Sequence, residues 1–278
     1  MHNIFHIILT RFNTRISTRF DPHAISPEWL GTRMRLFRDV TFPSVASQSR
    51  LPDAWLVFFD ENTPEATRDD FHQLAATLPL MRAEYFGDFN ADLWGPRIKR
   101  IIPPDADWLL TTGLDSDDGL NRCFIESVQY RARQCDCKFI NPTMGLIVAD
   151  GRLYRKRDFS SAFMTFSEPA AGCRTVWLDI HTRVGRHGPV EQLGLPDAWI
   201  QVVHGGNLLN RTRGVRISPT KVSPDALPQA LLESVTDVTR GALLLDNSLG
   251  LLRRYARSAW RRGCRVWSDR PTWLGGSQ

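Results

Sequence analysis

Lysine is nearly missing from this sequence: only Lys99, Lys138, Lys156 and Lys221 occur in 278 residues. Arginine therefore carries almost all of the positive charge, and its planar fork suits phosphate recognition. The excess of 35 basic over 30 acidic side chains is small and spread along the chain. Such a balance fits a solvated surface with a few anion contacts, and no nucleic-acid partner is expected. The five cysteines are odd in number and lack paired metal spacing; Cys135-Asp136-Cys137 is too close for a usual zinc knuckle. Cys123, Cys135, Cys137, Cys173 and Cys264 are read as reduced thiols. No apolar run approaches a membrane span. The apolar run 4–9 is cut off by Arg11 before it reaches signal-peptide length, which leaves the cytoplasm as the default compartment. The glycine-rich GxGxxG and Walker phosphate loops are absent, which argues against other phosphoryl-transfer enzymes.

What is present centres on Trp108-Leu-Leu-Thr-Thr-Gly-Leu-Asp-Ser-Asp-Asp-Gly-Leu120. Residues 108–110 have the texture of a buried strand, and three carboxylates follow at Asp115, Asp117 and Asp118. Like charges this close raise one another's pKa. A divalent cation removes that cost, and hard cations such as Mg²⁺ take oxygen ligands, with phosphate and water filling the sites the protein leaves open. The stretch therefore reads as a metal–diphosphate site at a strand end. A solvated turn capping the next helix is the plain alternative. An EF-hand loop fails on spacing, because Leu120 stands where its turn glycine is needed.

The pattern up to this motif is β-α-β-α-β-α-β. Strands are expected at 4–9, 54–59, 83–86 and 108–110, and helices at 27–37, 41–48 and 64–77, with a short basic segment at 93–102. This predicts an α/β fold with a mostly parallel sheet flanked by helices. Ligands bind beyond the carboxyl ends of such strands, so Arg11 and Asn13 are candidate contacts, and Asp60 holds the equivalent place on the second strand. Arg97, with Lys99 and Arg100 nearby, is a candidate anion contact or simply part of a solvated face. A helix is expected from about 119 to 134. Short strands follow at 139–140 and 144–148, the latter turning at Asp150-Gly151 into a hairpin. Further strands are expected at 175–180 and 199–203, on either side of a Gly- and Pro-rich loop at 185–196.

From about 219 the texture becomes helical, with candidates at 228–245 and 249–266. In the second, Leu252, Tyr255, Ala259 and Gly263 share one face while Arg253, Arg254, Arg257, Arg261 and Arg262 crowd the other. A basic amphipathic helix suits an anionic membrane surface, which would make the protein peripheral at the inner face of the membrane. A packed C-terminal helix with its charges in water fits the pattern equally.

Several of these segments together resemble the bacterial rhamnosyltransferases of the GT-A glycosyltransferase superfamily. They are Thr10-Arg11-Phe12-Asn13, Trp29-Leu30, Leu36-Phe37, Pro43-Ser44 with Gln48, Asp115-Ser116-Asp117-Asp118, and Trp199-Ile200-Gln201-Val202-Val203-His204-Gly205 with Asn207. The similarity runs over residues 3–210. In that family the acidic motif usually reads Thr-Arg-Leu-Asp-Asn-Asp-Asp; here Gly113 stands for the arginine and Ser116 for the asparagine. The resemblance implies a GT-A-like catalytic domain over 1–218, with a nucleotide-binding half of about 1–120 and an acceptor half of about 121–218. Residues 219–278 form a C-terminal helical extension.

It further implies a nucleotide-diphosphate sugar donor and a surface glycan or lipid-linked acceptor. Asp115 would contact the donor's sugar or ribose and Asp60 its base. Asp117, with Asp118 close by and His204 completing the set, would hold Mn²⁺ or Mg²⁺. For the base that deprotonates the acceptor, Glu168 is the first candidate and Asp179, beside His181, the second. A non-catalytic nucleotide- or polyanion-binding protein with a vestigial metal site is the competing class. Convergence of Asp117 and His204 on one point is the feature that separates the two.

Overall fold

The computed structural model describes residues 2–14, 26–132, 136–204, 214–223 and 226–251. The first half runs β1 (Ile4–Arg11), α1 (Pro27–Leu36), α2 (Phe42–Ala46), β2 (Ala54–Asp60), α3 (Glu65–Thr77), β3 (Met81–Phe86), α4 (Ala91–Ile101) and β4 (Trp108–Gly113). The second half runs β5 (Gly119–Leu120), α5 (Phe124–Ala132), β6 (Lys138–Pro142), β7 (Met144–Ala149), β8 (Arg152–Arg157), β9 (Thr165–Pro169), β10 (Val190–Leu193), β11 (Trp199–Val203), β12 (Val215–Ile217) and α6 (Gln229–Ser234).

A seven-stranded sheet has the order β10-β6-β9-β4-β1-β2-β3. Strands β4, β1, β2 and β3 are mutually parallel, as the alternating strand–helix pattern requires. β9 runs antiparallel between β4 and β6. β2 is buried along its whole length, and the two-residue period divides it between two cores. Trp55, Val57 and Phe59 meet Leu30 and Met34 of α1, Phe71 of α3, and Phe124, Ile125 and Val128 of α5. Leu56 and Phe58 meet Trp94 and Ile98 of α4 on the other face. The molecule is thus an α/β assembly with helices on both faces of a mostly parallel sheet.

A second, five-stranded sheet has the order β12-β8-β7-β11-β5. The β7–β8 hairpin turns at Asp150 (φ 49°) and Gly151 (φ 68°). These are the two consecutive left-handed residues that an Asp-Gly hairpin signals. One face of this sheet joins the first core through Ile147, Ala198 and Trp199. Ala226, Leu227, Leu231 and Val235 cover the other, packing on Leu146, Val148, Leu153, Ile200 and Val202. The start of the C-terminal extension is therefore packed against the second sheet.

Four expected elements differ. Gly119 and Leu120, read as the start of a helix, form β5 and pair with β11; α5 begins only at Phe124. Residues 175–180, read as a strand, form one turn of 3-10 helix at Val176–Leu178. Its backbone donors go to side chains: Thr175 N–H to Glu168, Val176 N–H to Thr111 and Trp177 N–H to Thr175. No ladder can form where those donors are already taken. Val190–Leu193, within the stretch read as a Gly- and Pro-rich loop, forms β10 and pairs in parallel with β6. The helix expected over 228–245 is broken into α6 and a later stretch at 240–251. The basic face at 253–262 lies outside the described residues. No helix among the described residues is long and apolar enough to cross a membrane.

Candidate active site

Because β1, β2 and β4 are parallel, Arg11, Asp60 and the acidic motif leave the sheet at one edge. Asn13 ties two of these exits together. Its amide donates to Thr63 Oγ1 (3.0 Å), and its carbonyl accepts the backbone N–H of Asp60 (3.1 Å). Asp60 is buried and accepts the backbone N–H of Asn62 at 2.8 Å, which shapes the turn after β2. Asp115 is exposed, with Arg11 Nη2 3.9 Å from its carboxylate. The Arg11 guanidinium also lies 5.6 Å over the Trp177 ring. Arg97 is not brought to this cluster. It bonds Glu84 at 2.7 Å and stacks on Phe86, so its charge is matched on β3, three strands from β4.

The centre of the site is Asp117, which is buried. The β5–β11 pairing sets Gly119 opposite Ile200, so the chain entering β5 runs alongside the chain leaving β11. This brings His204 Nε2 to 2.9 Å from one Asp117 oxygen. The other oxygen accepts Nη1 of Arg33 at 2.7 Å. Arg33 reaches in from α1, stacked 4.8 Å over Trp29 one turn earlier. Burial alone would raise the Asp117 carboxyl, but the His204 hydrogen bond and the Arg33 charge outweigh it and hold the group below the usual carboxylate range.

Asp118 points elsewhere. Its carboxyl accepts the backbone N–H of Val202 at 2.8 Å. Burial first, then the charges of Asp117 and Asp115, push it well above the ordinary range. It acts as a buried brace between β5 and β11, separate from the Asp117–His204 pair. That pair offers one carboxylate and one imidazole, a donor set that suits Mg²⁺ or Mn²⁺ when diphosphate oxygens and water complete the shell. Among the described residues no group of three His, Cys, Asp or Glu side chains forms a fuller cage.

Of the two expected bases, Glu168 is at the wrong end. β9 is antiparallel to β4, and Glu168 pairs with Leu109, near the start of β4. The acidic motif begins beyond Gly113, roughly 13 Å further along the strand. Glu168 is fully buried and accepts the backbone N–H groups of Arg174 (3.0 Å) and Thr175 (2.8 Å), so its work is to hold that loop. Asp179 follows the turn at Val176–Leu178, two residues beyond Trp177, whose Nε1 a side chain at Gly113, where β4 ends, would meet at 3.6 Å. His187 Nε2 bonds Asp179 at 2.9 Å and holds its carboxyl below the usual range, so it is ionised and able to accept a proton. Beside it His181 Nδ1 bonds the Ser160 carbonyl at 2.6 Å. The residues 205–207 expected after His204 lie outside the described residues.

Sequence reasoning missed Arg33 and Trp177. Arg33 stands one turn after Trp29 on a helix that reads only as a core helix, and a helical pattern does not show which arginine faces a neighbouring strand. Trp177 was read into a strand that does not form. It lies beside Gly113, where the acidic motif departs from the family pattern. The space beside that glycine is bounded by Trp177, Val176 and the Ala162 carbonyl, and Arg11 already lies over the indole.

A protein family described as "Putative rhamnosyl transferase" matches residues 5–216. No protein of curated description matches the chain. Among solved structures, TarS 1-349 of S. aureus in complex with UDP-GlcNAc is 12% identical, with a TM-score of 0.47 over 79% of this chain and 62% of that one. TarS 1-349 in complex with UDP is 12% identical, with a TM-score of 0.45 over 73% and 61%. The chain thus spans less than two thirds of the length of these structures.

Proposed function

Because this chain belongs to the rhamnosyl transferase family of glycosyltransferases, we propose that it moves a sugar from a nucleotide-diphosphate donor to an acceptor hydroxyl with the help of a divalent metal. The observation that carries this reading is the meeting of Asp117 and His204, from two separate strands, at the open ends of β1, β2 and β4.

Asp117 and His204 would hold Mn²⁺ or Mg²⁺, which when bound neutralises charge on the departing diphosphate. The protein adds fixed positive charge at the same place. Arg33 is buried beside Asp117, and Arg11 stands by Asp115 at the mouth. Preorganised groups of this kind stabilise developing charge without reorganising during the reaction. Asp115, the exposed carboxylate of the motif, is suited to hydroxyls of the donor's sugar or ribose. Asp60 and Asn13 shape the wall on which the base would rest. Asp179 is the general base: ionised and oriented by His187, it takes the proton of the attacking hydroxyl. A base held opposite the leaving group gives inversion at the anomeric carbon. The acceptor is a hydroxyl of a surface glycan or its lipid-linked precursor, and the reaction belongs to the cytoplasm or the inner face of the membrane. Rhamnose is the sugar the family's description supplies.

Calorimetry with dTDP, UDP and GDP, with and without Mn²⁺, tests the core of this. Wild type should bind one of the three in a metal-dependent way, Asp117→Ala should lose that binding, and His204→Ala should weaken it at least tenfold. Absence of binding to all three nucleotides, with or without metal, would overturn the reading in favour of a non-catalytic role.

A further inference from the structure

We propose that the helix at 240–251 is a docking element that seats this protein on an anionic lipid surface. The helix is turned inside out relative to an ordinary surface helix. Asp246 and Asn247 face the protein: Asp246 pairs with Arg216 beside β8, while Asn247 accepts the backbone N–H of Arg216 (2.8 Å) and donates to its carbonyl (3.1 Å). Leu244, Leu245 and Leu249 face water, with Leu243 half-buried. Leu244 is 71% exposed, Leu245 67% and Leu249 49%. With Gly241 and Ser248, also exposed, they mark one continuous stripe at helical spacing. A packed helix puts such a stripe toward the core. Contiguous leucines left in water are costly and mark a contact surface.

The sequence that follows selects the occupant. Between Asp246 and Asp269 there is no carboxylate, while Arg253, Arg254, Arg257, Arg261, Arg262 and Arg265 all occur there. Tyr255, Trp260 and Trp267 are interspersed among them. Apolar side chains, a one-sign basic run and amphipathic aromatics are the three components that bind an interfacial segment to a bilayer with acidic headgroups. No helix among the described residues is long and apolar enough to cross a membrane. This proposal does not depend on the reaction.

Flotation of the full chain with vesicles tests it. Wild type should float with mixed phosphatidylcholine–phosphatidylglycerol vesicles and at least tenfold less with phosphatidylcholine alone. The triple variant Leu244→Gln, Leu245→Gln, Leu249→Gln should lose at least tenfold of that binding. These side chains are exposed, so its circular dichroism and melting should match wild type. Arg253→Gln with Arg254→Gln and Arg257→Gln should lose a similar amount. The proposal is overturned if wild type stays with the soluble fraction, if the leucine variant floats like wild type, or if neutral vesicles bind equally well. A concentration-dependent dimer abolished by the leucine changes, without flotation, would also overturn it and assign the stripe to a second copy. Nucleotide calorimetry on the same variants reads the reaction separately.

Discussion

Glu168 and Asp179 are carboxylates eleven positions apart, and only the strand register separates their fates. In sequence both follow apolar segments and both look able to act as a base. Register is a long-range property, and nothing local shows that β9 enters antiparallel and carries Glu168 away from the acidic motif. Asp117 and His204 were legible for the opposite reason. Crowded carboxylates after an apolar strand are costly wherever they lie, and a histidine at a strand end needs only the edge rule to be placed. The two carboxylates make a paired prediction. With the donor that calorimetry identifies, Asp179→Asn should lower kcat by about 10²- to 10⁴-fold with little change in KM, as loss of a general base does. Glu168→Gln should leave kcat within a few-fold but lower unfolding free energy by about 1–3 kcal/mol, because buried N–H groups lose a charged acceptor. Steady-state kinetics and urea unfolding on both variants decide it, and the reverse pattern would restore Glu168 to the site.

At the level of elements, long parallel strands were the easiest to read. β2 is apolar from Ala54 to Phe59, and only a strand covered on both faces is built that way. Short elements were hard because tertiary partners make them. β5 exists only because β11 is there to pair with it, and the turn at Val176–Leu178 exists because three side chains take its backbone donors. Contact between β7 and β11 shows how tightly this second sheet is specified. A methyl group on Gly145 would sit 2.0–2.2 Å from the Trp199 indole. Trp199 cannot easily yield, being stacked on Phe163 at 4.9 Å and bonded through Nε1 to the Pro142 carbonyl. Gly145→Ala should therefore destabilise the fold by about 1–3 kcal/mol, the range for forced overpacking. Trp199→Phe removes part of the obstructing ring, so the double variant should cost less than the two single changes added. Because Trp199 opens the strand that ends at His204, Gly145→Ala should also weaken metal-dependent nucleotide binding. A strictly additive cycle in urea unfolding would show that the two residues do not oppose each other.

Over the whole molecule, the half made of parallel strands could be read from the order of elements, while the half that interleaves β6, β9 and β10 could not, since its pairings join distant segments. A buried polar chain centred on His6, which local texture presents only as one polar residue in an apolar strand, ties β9 to the parallel strands. Gln129 Nε2 reaches His6 Nδ1 at 3.3 Å, which leaves Nε2 to donate to Thr112 Oγ1 at 2.8 Å; Thr112 in turn shares a 2.6 Å bond with Thr165. The chain thus links α5, β1, β4 and β9 with the imidazole neutral. Burial, with a smaller contribution from Arg50, lowers the His6 pKa from 6.5 to about 3. Below pH 6.5 the unfolded chain takes up a proton that the folded chain refuses. Stability from this group therefore falls as pH drops, down to the folded pKa near 3. Between pH 7 and pH 5 the loss is about 2 kcal/mol. Asp118, whose carboxyl is raised well above its ordinary range, acts with the opposite sign as pH falls, so the raw slope mixes both groups. The measurable quantity is the difference between wild type and His6→Gln in urea unfolding at the two pH values. Wild type should lose about 2 kcal/mol more than the variant. Equal losses would mean that His6 is protonated within the fold and that Gln129 turns its carbonyl oxygen, not its amide nitrogen, to Nδ1.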